Sequence, residues 1–176
     1  MKKTILILTF LIVSLGASAQ NASTSYIEKF KDNAIRIMHQ SGIPASIVLA
    51  VAMHESGCGN SLLARQFNNQ FGVKGYDKHV LITQTKKKLT SYKKYDSVMD
   101  SFQDFARILT EKKKFAHLSQ EHSHYDYVGW AKGIQHSGYA ASRKWASQVL
   151  GLITKYHLNG FDENPADQPQ LVAKAQ

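Results

Sequence analysis

Apolar positions fall into helical stripes over most of this chain, interrupted once by a strand-like stretch. Ile27, Phe30, Ala34, Ile37 and Met38 recur at the three- and four-residue spacing of one helix face. Ser25 and Glu28 have the spacing of a capping box that would open this helix, and Gly42 would stop it after about Gln40. Pro44 suits the first turn of a second helix. Its Ile47, Val48, Val51 and Ala52 leave almost no polar face, which predicts a buried, central element. Residues 61–65 read as one further helical turn. Between Val73 and Tyr95 the helical period is lost. Residues 80–83 and 89–92 are β-prone with Lys86, Lys87 and Lys88 between them, predicting a hairpin with a basic tip. The stretch 97–100 opens another helix with Val98, Phe102, Phe105, Ile108 and Leu109 on its apolar face. A further helix begins at residues 127–131. A last one spans 142–156 with Trp145, Val149, Leu150, Ile153 and Tyr156 inward. The expected fold class is mainly α, with a small β-hairpin lobe inserted after the second helix and a cleft between lobe and helices.

The two ends differ from this body. Lys2 and Lys3 precede an apolar run over residues 5–15, and Ala17-Ser18-Ala19 has the small-residue pattern of a cleavage site, so residues 1–19 read as a signal peptide. The apolar run is short for a membrane span. Its removal from 176 residues leaves 157, enough for one domain with a single core, placed at residues 20–163. Residues 164–176 are polar and proline-bearing and read as a flexible tail. The protein is expected to be exported, periplasmic or secreted, with no stable membrane insertion, and to be a monomer.

Charge and cysteine usage narrow the choices. The formal net charge is +9, of which the leader's two lysines account for two, leaving +7 on the remainder. A basic exported protein suits a polyanionic partner. Nucleic acid is disfavoured, because no nucleic-acid motif occurs and the basic residues are scattered apart from one lysine run. Cys58 is the only cysteine, so no internal disulfide forms; between Gly57 and Gly59 it reads as a small residue in a tight turn. His117, His122, His124 and His136 lie close in sequence but match no zinc spacing, and no metal or cofactor is expected.

The candidate chemistry sits at Glu55, at the C-terminal end of the apolar second helix. The negative end of the helix dipole and apolar neighbours both favour the protonated acid, the form a general acid needs. The run from Ala52 to Ala64, with Glu55-Ser56-Gly57-Cys58-Gly59, and the later Asn68-Asn69-Gln70-Phe71-Gly72 together resemble the endo-β-N-acetylglucosaminidases of glycoside hydrolase family 73. Tyr95-Asp96-Ser97-Val98, residues 130–140 and residues 152–162 extend the resemblance to most of residues 26–162. It implies a lysozyme-like helical domain that cleaves the β-1,4 bond between N-acetylglucosamine and N-acetylmuramic acid in peptidoglycan glycan strands. It implies Glu55 as general acid and Tyr139 as an assisting residue at the reacting sugar. Asn69, Phe71 and Trp130 would line the sugar groove.

One departure bears on mechanism. Many members carry a second carboxylate in the hairpin lobe, whereas no Asp or Glu lies between Asp77 and Asp96 here; Thr83, Gln84, Thr85 and Thr90 stand there instead. A two-carboxylate scheme needs a nucleophile or base opposite the acid. Substrate assistance needs only one, since the sugar's acetamido oxygen attacks, and Gln84 or Tyr139 would orient that group. A smaller departure is Ala141-Ser142-Arg143, where acidic and proline residues are usual. The competing readings are a lytic transglycosylase or muramidase of similar fold, or a non-catalytic wall-binding module.

Overall fold

A computed structural model describes the backbone of residues 2–163 and the side chains of residues 21–163. The expected leader and tail, residues 1–19 and 164–176, lie outside the residues whose side chains are described. Seven α-helices, one antiparallel hairpin and a closing 3-10 turn make up the described chain. They are α1 (Lys2–Ser41), α2 (Ala45–Ser56), α3 (Leu62–Phe67), β1 (Lys74–Ile82), β2 (Lys87–Tyr92), α4 (Val98–Glu111), α5 (Leu118–Glu121), α6 (Tyr127–His136), α7 (Trp145–Tyr156) and the turn Leu158–Phe161. The fold class is mainly α with a small inserted hairpin, as the patterning predicts. Among the described residues no helix is long and apolar enough to cross a membrane.

Helix α2 is the axis of the fold. Residues 45–53 are all buried, and α1, α6, α7 and the closing turn pack around them. The α1 stripe of Ile27, Phe30, Ala34, Ile37 and Met38 is buried against it, and Trp145, Val149 and Ile153 of α7 close another side. The N-terminus of α2 begins after Pro44, which has no side chain to cap it. The cap comes from the far end of the chain. Asp162 accepts hydrogen bonds from Ser46 N at 2.8 Å and from Ser46 Oγ at 2.6 Å, placing a carboxyl group where the helix leaves N–H groups unpaired.

Two expectations need correction. Ser25 does not begin a helix, because α1 already runs through it; Glu28 pairs instead with Lys31 one turn on, at 2.7 Å. The hairpin tip is residues 83–86 rather than the three lysines. Thr83 N and Oγ1 both donate to Lys86 O, which closes the turn and places Lys87 and Lys88 in β2 opposite Ile82 and Leu81. Ser97, by contrast, opens α4 through a complete capping box with Asp100.

The hairpin is tied to the helical body at both ends. Gln66 of α3 receives from Ile82 N at 3.0 Å and donates to Ile82 O at 2.6 Å. Just beyond β2, Lys93 Nζ and Tyr95 Oη both donate to Asp104 Oδ2 of α4, at 2.8 and 2.7 Å, while Arg107 holds Oδ1 at 2.6 Å. Burial opposes ionisation of Asp104, but hydrogen bonds from Lys93, Tyr95 and Arg107 outweigh it and hold the carboxyl below its usual range.

Candidate functional site

The site forms where α2 ends. Ser56 Oγ donates to Ala52 O at 2.6 Å and accepts from Gly59 N at 2.7 Å, so the helix's last turn and the following loop are locked together. Three consecutive residues, Gly57, Cys58 and Gly59, then take left-handed backbone angles. Gly59 is required here for a second reason: a Cβ would sit 3.1 Å from the Tyr26 ring. Cys58 is a small residue in a tight turn, with its Sγ 3.5 Å from Ser23 Oγ. This reversal leaves Glu55 facing a cleft of about 380 Å³. Phe71, Gly72 and Val73 form one wall, Ile108 and Phe115 another, and Tyr139 and Ala140 a third. Among the described residues, Glu55 is the one carboxylate in the lining. Lys74, Lys112 and Lys114 supply three cations.

Glu55 is held from the side by Trp145, whose indole Nε1 donates to Oε1 at 2.8 Å. Trp145 is 2% exposed and its ring lies 5.2 Å from that of Tyr139. The periodicity of the last helix marks Trp145 as a core residue. Nothing local in the sequence shows that its polar edge ends on a carboxylate 90 positions earlier.

Tyr139 enters the cleft from the loop after α6. Its hydroxyl donates to Phe71 O at 3.4 Å. Gly138 turns the chain with a left-handed angle, and its carbonyl accepts from Lys114 Nζ at 3.0 Å. Burial and then the nearby Glu55 charge push the phenol above its ordinary value, so it stays protonated and able to donate.

The other residues singled out from the sequence divide. Phe71 lines the cleft, with its ring stacked on Phe105 at 4.2 Å and edge-on to Phe102. Asn69 does not line it. It is 1% exposed, donates to Val73 O and Lys93 O, and accepts from Val73 N, so its amide joins the start and end of the hairpin lobe. Trp130 is also absent from the cleft lining: it is fully buried in α6, with its indole N–H given to Ser123 O at 3.1 Å. Gln84 sits exposed on the hairpin turn and is absent from the cleft lining. Of the clustered histidines, His122 pairs with Asp126 at 2.8 Å.

Comparison with known proteins places this arrangement. The glucosaminidase family model, described as mannosyl-glycoprotein endo-β-N-acetylglucosaminidase, matches residues 31–158. The exo-glucosaminidase LytG of Bacillus subtilis is 31% identical over 156 residues, covering 80% of this chain and 54% of that protein. The peptidoglycan hydrolase FlgJ of Vibrio parahaemolyticus is 26% identical over 145 residues, covering 74% and 46%. The chain thus spans about half the length of these relatives. Among solved structures, the glycoside hydrolase domain of Salmonella typhimurium FlgJ superposes with a TM-score of 0.62 at 26% identity, covering 77% of this chain and 88% of that one. The catalytic domain of the autolysin Auto from Listeria monocytogenes shares the fold, with a TM-score of 0.66 at 23% identity over 80% and 87% of the two chains. The matched span takes in Glu55, the Asn68–Gly72 turn, the hairpin and Tyr139, and on that match this chain belongs to the glucosaminidases, the endo-β-N-acetylglucosaminidases of glycoside hydrolase family 73.

Proposed function

We propose that the protein is a peptidoglycan hydrolase that cleaves the β-1,4 bond between N-acetylglucosamine and N-acetylmuramic acid, with Glu55 as general acid and the substrate's acetamido group as nucleophile. The observation that carries this reading is the lining of the cleft among the described residues: one carboxylate, no second acid, and a protonated phenol beside it. Glu55 gives its proton to the glycosidic oxygen as the C1–O bond breaks. The acetamido oxygen of the sugar on the non-reducing side attacks C1, forming an oxazoline-type ring and expelling the next sugar as an alcohol. Water then adds to C1, Glu55 takes its proton, and the ring opens to restore the acetamide with retention at C1. With substrate bound, the Tyr139 hydroxyl turns from Phe71 O to donate a hydrogen bond at the reacting centre, and Trp145 keeps the Glu55 carboxyl aimed. Lys74, Lys112 and Lys114 draw the anionic wall polymer toward the cleft. The FlgJ relative's name, peptidoglycan hydrolase, supports the wall as substrate, and an exported monomer fits a substrate outside the cytoplasm.

Mass spectrometry of wall digests, run beside Glu55→Gln, tests the proposal. It expects fragments with reducing-end N-acetylglucosamine from the unaltered protein and none from the variant. Reducing-end muramic acid would mark a muramidase, and anhydro-muramic ends a lytic transglycosylase. Wall binding without new ends would mark a binding module.

A further inference from the structure

Most of this chain's net positive charge sits on the hairpin lobe. Residues 74–94 hold seven lysines and one acid, Asp77, a net of +6 against +9 for the whole chain. Lys93 is drawn back to Asp104 of α4 at 2.8 Å. Lys78, Lys86, Lys87 and Lys88 are exposed, and no acid follows Asp77 before Asp96. The two faces of the hairpin differ. One packs toward α3: His79 lies edge-on to Phe67 at 5.8 Å, and its partner in the ladder, Thr90, is half-buried with it. Side chains alternate along a strand, so Val80 and Ile82 point the other way, and directly opposed residues share a face. Val80 is paired with Leu89, and Ile82 with Lys87. Val80, Ile82 and Leu89 are therefore neighbours on the outer face, 51, 54 and 63% exposed, with Lys87 among them. None of them lines the Glu55 cleft.

Aliphatic side chains clustered on an exposed basic face fit a partner that is both anionic and apolar. A hydrated polyanion would meet the lysines and leave the aliphatic side chains in water. A second copy of the hairpin would cover the aliphatic side chains and set lysine against lysine, which is costly. A neutral glycan would make no use of the charge. An anionic lipid leaflet supplies both parts at matching depth: phosphates at its surface for the ammonium groups, and hydrocarbon just beneath for the aliphatic groups. Lysine stems are long enough to lie along the apolar contact while their charged ends stay at the headgroups. We propose that the outer face of the hairpin is a docking surface for an anionic lipid membrane. Val80, Ile82 and Leu89 seat in the boundary between headgroups and acyl chains, and Lys86 and Lys87 bind the phosphates. The attachment is peripheral and reversible, and needs no helix to cross the bilayer. It goes beyond the activity proposed above and does not depend on it.

The test is co-sedimentation of the purified protein with vesicles of phosphatidylglycerol and phosphatidylcholine in equal parts, beside vesicles of phosphatidylcholine alone. Binding to the first should be tighter by roughly tenfold or more, and should weaken as salt is raised. Lys86→Gln/Lys87→Gln removes charge alone, and Ile82→Ser/Leu89→Ser keeps the charge; each should weaken binding roughly tenfold or more. Trp130 and Trp145 are buried in the body of the protein, so the indole introduced by Leu89→Trp reports on the outer face. Lipids brominated in their acyl chains should quench it, a reading that stands even where the serine pair disrupts the hairpin. Equal binding to both kinds of vesicle, undiminished binding by the serine pair, or an indole that the brominated lipid does not quench would each overturn the proposal. So would a dimer that the serine pair dissociates in a protein that binds no vesicle, which would assign the face to a second copy. Wall digestion reads the Glu55 cleft alone, so a failure of the proposed hydrolase leaves this surface standing, and the reverse.

Discussion

Trp145 Nε1 donates to Glu55 Oε1 at 2.8 Å, so the C-terminal end of α2 and the N-terminal end of α7 meet at the cleft's one carboxylate. Trp145→Phe would remove the donor while leaving an aromatic ring in the core. Wall hydrolysis should show kcat down by roughly tenfold or more with KM little changed, since a misaimed acid weakens the transition state and not substrate binding. The lost ring volume should cost about 1–3 kcal/mol in stability. Equal falls in activity and folded fraction would mean that Trp145 only packs.

Tyr139→Phe removes the hydroxyl and its long 3.4 Å hydrogen bond to Phe71 O, while the ring contacts with Phe105, Phe115 and Trp145 persist. Hydrolysis should fall about tenfold to a hundredfold, the range over which a donor placed at a reacting centre acts, with thermal stability nearly unchanged. Spectroscopic titration should show one tyrosine fewer in the most alkaline part of the wild-type curve, since burial and then Glu55 raise this phenol.

Asn69→Ala should lower stability by about 3 kcal/mol, since it leaves Val73 N and Lys93 O short of partners, while Val73 O keeps the Lys93 N–H. Whatever fraction stays folded should keep a near-normal KM. A raised KM at unchanged stability would instead return Asn69 to the sugar groove.

Asp162 makes stability depend on pH with an unusual sign. Burial, opposed by the Ser46 hydrogen bonds, pushes its carboxyl up to about 6 from an ordinary 3.8. The folded state therefore holds a proton that the unfolded state releases. This contribution is fully present below pH 3.8 and is lost as pH rises through about 6, amounting to about 3 kcal/mol. Chemical denaturation of the protein and of Asp162→Asn, compared across pH 3.5–7.5, isolates it. The difference between the two should change over that window and be flat above it.

Much of this protein can be read from local sequence, and the limits fall on particular residues. The α2 core, the α4 apolar face and the opening of α4 at residues 97–100 depend on side chains three or four positions apart, and these are legible in the sequence. So are Glu55 at a helix end and the turn after it, because Gly57 and Gly59 flank a residue small enough for that backbone. The start of α1 was misplaced because the helix passes through Ser25, and a capping signature carries no weight where upstream carbonyls already bind the backbone N–H groups. The hairpin tip was misplaced because the Thr83 hydroxyl and its pairing to Lys86, rather than the lysine run, close the turn.

The candidate site divides along the same line. Residue type and spacing alone determined that Glu55 would stand at the end of a buried helix and that no Asp or Glu lies between Asp77 and Asp96. Which polar edges reach Glu55 was decided only by tertiary structure. Asn69, Trp130 and Trp145 all carry donors suited to a sugar or a carboxyl group, and sequence cannot rank them. Packing turns the first two onto backbone carbonyls and the third onto Glu55. The reason is physical: a hydrogen bond needs atoms within about 3 Å in the right direction, and for side chains up to 90 positions apart that is set by how the helices pack and not by where they lie in the chain.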